Sequence, residues 1–371
     1  MAEENSSPHR PPLYDEHVAL GAKFAAFGGW LMPLEYAGQG VLAEHEAVRQ
    51  RVGVFDVSHL GKLHLAGPGA ADYLNTRLTG DLGRIGPSRA QYTLLCDSSG
   101  GVTDDLIVYL KAADDVLLIP NAANTATVAA RLRDGLPGGL SLADQHTDFV
   151  VLAIQGPSSQ LVVEALGLPA AMDYMAFQTA SYGGFPLTVC RTGYTGERGY
   201  ELVAPNAAAP GLWQAILTAG QPFGIMACGL GARDTLRTEM GYPLHGQDIS
   251  PGISPVAAGL GWAIGWSKPV FDGVAALGAV KAAGPAQRLR GLKAQGRGIP
   301  RPGMAVVGLD DAGRNIGRVT SGTFSPSLKT GIGLALIDAA IEPGAVVGVA
   351  IRGKTEPFDV VKPPFVASHV Q

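Results

Sequence analysis

The chain has 371 residues, 46% of them hydrophobic and 16% charged, enough apolar material for a large core spread over two or three domains. Its net charge of −4 leaves no basic footprint for nucleic acid, and no apolar run approaches the ~18 residues that span a bilayer. Cys96, Cys190 and Cys228 lie far apart with no C-x-x-C pair, so reduced, buried thiols are expected rather than a zinc ribbon or a redox motif.

In chain order, the opening MAEENSSPHRPP is polar and carries two glutamates, unlike a secretory signal or an Arg-rich transit peptide. Residues 1–11 therefore read as the disordered tail of a cytoplasmic protein. Tyr14 to His17 enters a short helix, and Phe27-Gly28-Gly29-Trp30 turns into a strand. Helical spacing through Leu42, His45, Val48 and Arg49 predicts a helix over 40–51, and alternation predicts one strand over 52–64. A second helix follows over 68–78. Beyond residue 115 come a strand (116–120), a helix (124–132), a strand (149–155) and a helix entered at Gly156-Pro157-Ser158. Thr188 to Pro205 reads as a hairpin with Tyr200, Leu202 and Ala204 on one face and Glu201 and Val203 on the other. A helix over 229–241 ends at Gly241. Residues 283–301 shift to Gly, Pro, Arg and Lys, a predicted linker, and short strands separated by turns then predict a small barrel or sandwich. Short strands joined as often by hairpins as by helices place the chain in the α+β class.

One stretch is chemically odd. Gln91 to Leu110, QYTLLCDSSGGVTDDLIVYL, reads as a hairpin whose second strand begins with two adjacent carboxylates, Asp104 and Asp105. Strand alternation puts Val102, Asp104, Leu106 and Val108 on one face and Asp105, Ile107 and Tyr109 on the other. Two readings stay open. Either both acids lie at the strand mouth in water and close the turn, or one faces inward beside the tyrosine and holds a polar ligand.

Standard nucleotide and hydrolase motifs fail. There is no G-x-G-x-x-G, no P-loop and no G-x-S-x-G, and His45, His59 and His64 lack H-E-x-x-H spacing, so no metal is expected. What remains are polar residues set into apolar elements: Asp105, Glu201 and Arg233. With Tyr92, Tyr109, Tyr174 and Tyr194 they would suit a flat heterocycle with N–H edges. Against this stand an edge-strand Glu201 facing solvent and a surface ion pair for Arg233.

At this point the sequence resembles the T-protein family of the glycine cleavage system, tetrahydrofolate-dependent aminomethyltransferases. The blocks that carry the resemblance are PLYDEHVALGAKFAAFGGW, FDVSHLGKLHLAGP, GGVTDDLIVY, LAIQGP, TGYTGERGYEL, GLGARDTLRTEMG and GRVTSGTFSPSL, followed by PPFV. The resemblance implies a three-domain cloverleaf around a central folate channel. Two interleaved α+β subdomains would fill 12–283, and a C-terminal β-barrel-like domain 284–371. It implies that Asp105 is the catalytic carboxylate and Glu201 the pterin-binding one, with Arg233, Tyr109, Asn121, Tyr174 and Tyr194 as further folate contacts. The implied partners are tetrahydrofolate and the lipoylated H-protein, with the P- and L-proteins in the same pathway. Leu60 stands where the family usually has Met. A non-catalytic iron–sulfur relative would carry Lys-Gly-Cys-Tyr-x-Gly-Gln-Glu, which is absent, and a flavin-fused demethylating relative would need a longer chain.

Overall fold

The computed structural model describes residues 7–309 and 313–371. An antiparallel sheet, a mixed sheet and a closed barrel carry the fold. The five-stranded sheet runs, in spatial order, Arg89–Cys96, Val102–Ala112, Asp115–Ile119, Leu63–Ala66 and Ser141–Asp144. The six-stranded sheet runs Phe177–Tyr182, Phe185–Cys190, Gly199–Pro205, Phe149–Gln155, Gly53–Asp56 and Met226–Ala227. The chain thus passes from one sheet to the other after Asp56 and returns after Asp144, which interleaves the two units. Helices Ser159–Ala165 and Ala209–Gly220 cover one face of the six-stranded sheet, burying Val162, Leu212, Trp213 and Ile216 against Val150, Leu152 and Tyr200. The class is α+β, as the mixture of hairpins and helices predicted. Among the described residues no helix is long and apolar enough to cross a membrane.

The crossing after Asp56 corrects the single strand predicted over 52–64. Asp56 Oδ1 accepts from Ser58 N at 2.8 Å and from the Ser58 hydroxyl, a local side-chain turn that competes with the ladder. His17 Nε2 also lies 2.9 Å from Asp56 Oδ2. The alternation continues through the break because both flanking segments, Gly53–Asp56 and Leu63–Ala66, are strands, but they belong to different sheets.

Two further expectations change. Residues 1–6 of the predicted tail lie outside the described residues, but His9 is tied down: its N–H donates to Gly29 O (2.9 Å) and its carbonyl accepts from Leu31 N (2.8 Å). The predicted linker over 283–301 contains a barrel strand, Gln287–Ala294, paired with Thr330–Asp338 and Lys354–Val361. Its charges, Arg288, Arg290 and Lys293, hid the strand pattern. The barrel closes through Asn315–Ser325, Ala305–Val307 and Val346–Ile351 around Leu292, Val306, Val319, Val349 and Phe358.

Helix Leu230–Met240 joins the barrel to the sheets. Gly241 ends it at φ +69°, and a Cβ there would lie 2.3 Å from Pro363, so glycine is required for conformation and for space. Glu239, fully buried on this helix, accepts from Arg49 Nη2 (2.8 Å), Ser325 Oγ (2.5 Å) and Ser327 Oγ (2.9 Å), with His45 Nε2 at 3.3 Å. Burial would raise its carboxyl, but the hydrogen bonds and charges of His45, Ser325 and Arg49 prevail and bring it down to about 2. A carboxylate depressed from its ordinary 4.5 contributes its stability in full above that pH and loses it as pH falls toward 2. Glu239→Gln should therefore cost about 3–5 kcal/mol at neutral pH and flatten the acid side of the stability curve, read by urea unfolding across pH.

Candidate functional site

The two sheets and the barrel enclose a cavity of about 780 Å³. Strand Val102–Ala112 supplies its centre. Alternation holds: Leu106 and Val108 enter the apolar core of the five-stranded sheet, while Asp105, Ile107 and Tyr109 line the cavity. Asp105 is half-buried and lies across the ladder from Leu94. Its Oδ2 accepts from Tyr92 OH at 3.0 Å and its Oδ1 from Asn121 Nδ2 at 2.8 Å. Burial raises its pKa, opposed chiefly by the Tyr92 hydrogen bond and also by the Asn121 amide.

Asp104 is not at a strand mouth in water. It is 0% exposed, on the core face. Asn121 N (3.0 Å) donates to Oδ2, and Asn121 Nδ2 (2.9 Å) and Asn124 Nδ2 (2.6 Å) donate to Oδ1. Burial and the adjacent Asp105 charge push it up to about 8 against those donors. The turn is closed instead by Asp97, whose Oδ1 accepts from Ser99 N (2.8 Å) and Gly101 N (3.1 Å). Gly101 admits no side chain, since a Cβ would sit 1.8 Å from Pro251 O.

Glu201 lies on Gly199–Pro205, a strand paired on both sides, which removes the edge-strand reading. Thr192 Oγ1 donates to its Oε2 at 2.5 Å, and Tyr109 OH approaches the same oxygen at 3.5 Å, a long contact. Tyr109 OH and Thr192 Oγ1 are 3.1 Å apart. Tyr109 thus bridges from the five-stranded sheet to the six-stranded one, and the cavity sits where the sheets meet. Arg233 is no surface ion pair: its guanidinium lies 4.6 Å from the ring centroid of Tyr194. Burial pulls its pKa down, and the Glu201 charge works the other way. Tyr194 OH donates to Pro243 O at 2.5 Å. On this helix it is Arg237 that pairs with Asp234 (2.7 Å) and Asp248 (2.9 Å), and Glu239 that pairs with Arg49 (2.8 Å). Tyr174 lines the cavity at 36% exposure.

The residues expected from the sequence to form the site, Asp105, Glu201, Arg233, Tyr92, Tyr109, Asn121, Tyr174 and Tyr194, all line this one cavity, and Asp104 does not. The sequence reading missed Thr192, the donor to Glu201, and Trp262, which is 68% exposed and stacks on Tyr92 at 5.4 Å and 26°. Two tryptophans, Trp262 and Trp266, in the glycine-rich run AGLGWAIGW were the available signal. It also missed Asn124, and the barrel residues Leu289, Leu334 and Val361 on the wall, which nothing in their local pattern marks.

The GCVT N-terminal domain model matches residues 13–268, and the glycine cleavage T-protein C-terminal barrel domain model matches 287–367. This chain belongs to the glycine cleavage T-protein family. An aminomethyltransferase of Parafrankia sp. is 59% identical over 97% of this chain and 98% of its own length, and one of Mycobacterium tuberculosis 57% identical over 96% of each. The crystal structure of glycine cleavage system aminomethyltransferase T from Bartonella henselae superposes with a TM-score of 0.92 at 34% identity, covering 98% of this chain and 99% of that one. The T-protein fold therefore accounts for the interleaved sheets and the barrel alike.

Because one Asn121 amide serves both carboxylates, Asn121→Leu should leave buried Asp104 and half-buried Asp105 short of donors. A loss of about 2–3 kcal/mol is expected by chemical denaturation. Unchanged stability would mean that each acid has a sufficient donor set of its own.

Proposed function

We propose that this chain carries out the folate-dependent step of glycine cleavage, moving the one-carbon unit of an aminomethyl group on the lipoyl arm of the H-protein to tetrahydrofolate. Family membership and near full-length relatives make it an aminomethyltransferase of the glycine cleavage system. Tetrahydrofolate as acceptor, and the H-protein acting alongside the P- and L-proteins, are the finer part of the reading. The observation that carries it is the pairing, in one cavity, of Asp105 held by Tyr92 and Asn121 with Glu201 beside Arg233.

The residues present fit a reduced pterin. Both hydrogen bonds received by Glu201 fall on Oε2, so Oε1 keeps its capacity to accept from the N–H edge of a heterocycle. Tyr109 and Tyr194 offer aromatic faces, and Arg233 supplies donors for a carbonyl edge. Trp262, exposed beside Tyr92, marks the side from which a long ligand enters.

The reaction breaks the carbon–nitrogen and carbon–sulfur bonds of the aminomethyl-thioether and forms two bonds from that carbon to folate nitrogens. The two folate N–H protons leave with ammonia and with the dihydrolipoyl thiol. Positive charge develops on the migrating carbon and its nitrogen. Asp105 answers that charge from a fixed position, and its raised pKa suits it to take up and return a proton between attack and departure of the amine. Tyr92 and Asn121 hold the carboxylate, so little reorganisation is needed when the charge appears.

The test is to incubate the protein with aminomethyl-loaded lipoylated H-protein, with and without tetrahydrofolate, and to measure ammonia. Folate-dependent release supports the reading, and its absence sinks it. Asp105→Asn should cost roughly 10²-fold or more in turnover with a smaller effect on folate affinity. Glu201→Gln should weaken folate binding by about 1.5–3 kcal/mol, read by calorimetry. Asp104→Asn is not a neutral control, because its side chain is buried among donors and its replacement also disturbs Asn121.

A further inference from the structure

Behind the cavity wall a chain of hydrogen bonds runs from Asp105 to a histidine that does not itself line the cavity. Asn121 Nδ2 lies 2.8 Å from Asp105 Oδ1, 2.9 Å from Asp105 O and 2.9 Å from Asp104 Oδ1, so its two protons are shared among three acceptors. Asn124 Nδ2 donates to the same Asp104 Oδ1 at 2.6 Å and to His245 Nδ1 at 2.9 Å. His245 Nε2 in turn lies 3.0 Å from Val102 O.

Donor and acceptor roles follow from these partners. Val102 O only accepts, so His245 Nε2 carries the proton. An amide NH2 only donates, so His245 Nδ1 presents its lone pair to Asn124. Both protons of Asn124 Nδ2 are then used, and the amide cannot turn its oxygen toward Asp104 without losing the histidine. The neutral Nε2–H tautomer of His245 fixes the orientation of the Asn124 amide. That amide holds Asp104 Oδ1, and Asp104 grips Asn121 through both its backbone N–H and its side chain.

The arrangement is long-range. Asp104 is on the hairpin, Asn124 closes the turn Ala122–Asn124, and His245 follows helix Leu230–Met240. Its loop is pinned to the hairpin where Val102 N donates to Ser250 O at 2.9 Å. Asp104, Asn124 and His245 are absent from the cavity lining, so they act only through Asn121 and Asp105.

We propose that His245, with Asn124 and Asp104, is a positioning residue for the reaction: its Nδ1 lone pair sets the Asn124 amide, which sets Asp104 and Asn121, and these aim the Asp105 carboxylate. The inference deepens the aminomethyltransferase reading and rests on it. Removing the Nδ1 acceptor frees Asn124 to rotate, Asp104 then draws more heavily on the Asn121 amide, and Asp105 loses its fixed orientation. Folate contacts at Glu201 and Arg233 lie elsewhere and should be spared.

The experiment compares His245→Phe, which removes the acceptor, with His245→Asn, which places an amide oxygen near the position of Nδ1. For His245→Phe, kcat should fall on the order of 10–30-fold with the KM for tetrahydrofolate within about threefold, and His245→Asn should recover most of the loss. A histidine side-chain NMR spectrum of the wild-type enzyme gives a readout that needs no variant, and should identify the Nε2–H tautomer at neutral pH. An Nδ1–H tautomer would overturn the relay. So would a His245→Phe enzyme with wild-type kcat, or a loss that His245→Asn does not restore. A wild-type protein that releases no ammonia would instead overturn the aminomethyltransferase reading, which keeps the two failures apart.

Discussion

Two adjacent carboxylates, one buried and one half-buried, lie on opposite faces of one strand, and the site depends on how that burial is compensated. An isolated buried carboxylate is among the most costly groups a protein can hold. Asp104 meets the cost with three N–H donors from Asn121 and Asn124, all supplied by one short segment after the neighbouring strand Asp115–Ile119. Asp105 shares one of those amides and adds Tyr92. The cavity-facing acid is therefore held in place by an acid that the ligand never meets. This explains why the pair sits in a strand rather than a loop: the pleat sends one side chain to each face, and the ladder fixes both.

Much of this was legible in the sequence where a local rule applied. Period-two alternation put Asp105 with Ile107 and Tyr109, and the structure agrees. Phe149–Gln155 was predicted to the residue, and helix Leu230–Met240 to its terminal glycine, because an apolar run and a C-terminal glycine are local signals. The failures share one cause. Asp56 ends a strand through its own Ser58, and the alternation of 52–64 carries on into a different sheet. Gln287–Ala294 looked like a linker because a barrel strand with Arg and Lys at its edges has the composition of one. Asp104 at the strand mouth stayed open as a reading because local pattern cannot see Asn121 and Asn124, whose amides reach it from elsewhere in the chain.

The barrel is a wall of the site rather than an appendage. Leu289, Leu334 and Val361 face the cavity. Glu239, Arg49, Ser325 and Ser327 lock the helix that carries Arg233 against barrel strand Asn315–Ser325 and the turn after it. Such buried ionic clusters add little net stability over apolar packing, since desolvation offsets most of the attraction. Their contribution is geometric. They fix how the barrel sits on the helix, and so fix the distance between Arg233 and the Glu201 strand across the cavity.

The same logic extends to the loop that bears His245. Asp248 Oδ2 accepts from Leu244 N (2.9 Å), Arg237 Nη1 (2.9 Å) and barrel Ser321 Oγ (2.7 Å), so one carboxylate oxygen ties loop, helix and barrel together. His245 is the next residue after Leu244, and its ring reaches Asn124 from that anchored backbone. A displacement of the barrel relative to the helix would thus be felt at Leu244 before it reached the cavity lining. From Ser321 to Asp105 the path runs through the hydrogen bonds of Asp248, the backbone from Leu244 to His245, and then the amides of Asn124 and Asn121. Helix Leu230–Met240 therefore serves the site twice, presenting Arg233 to the cavity and anchoring the loop whose histidine aligns Asp105.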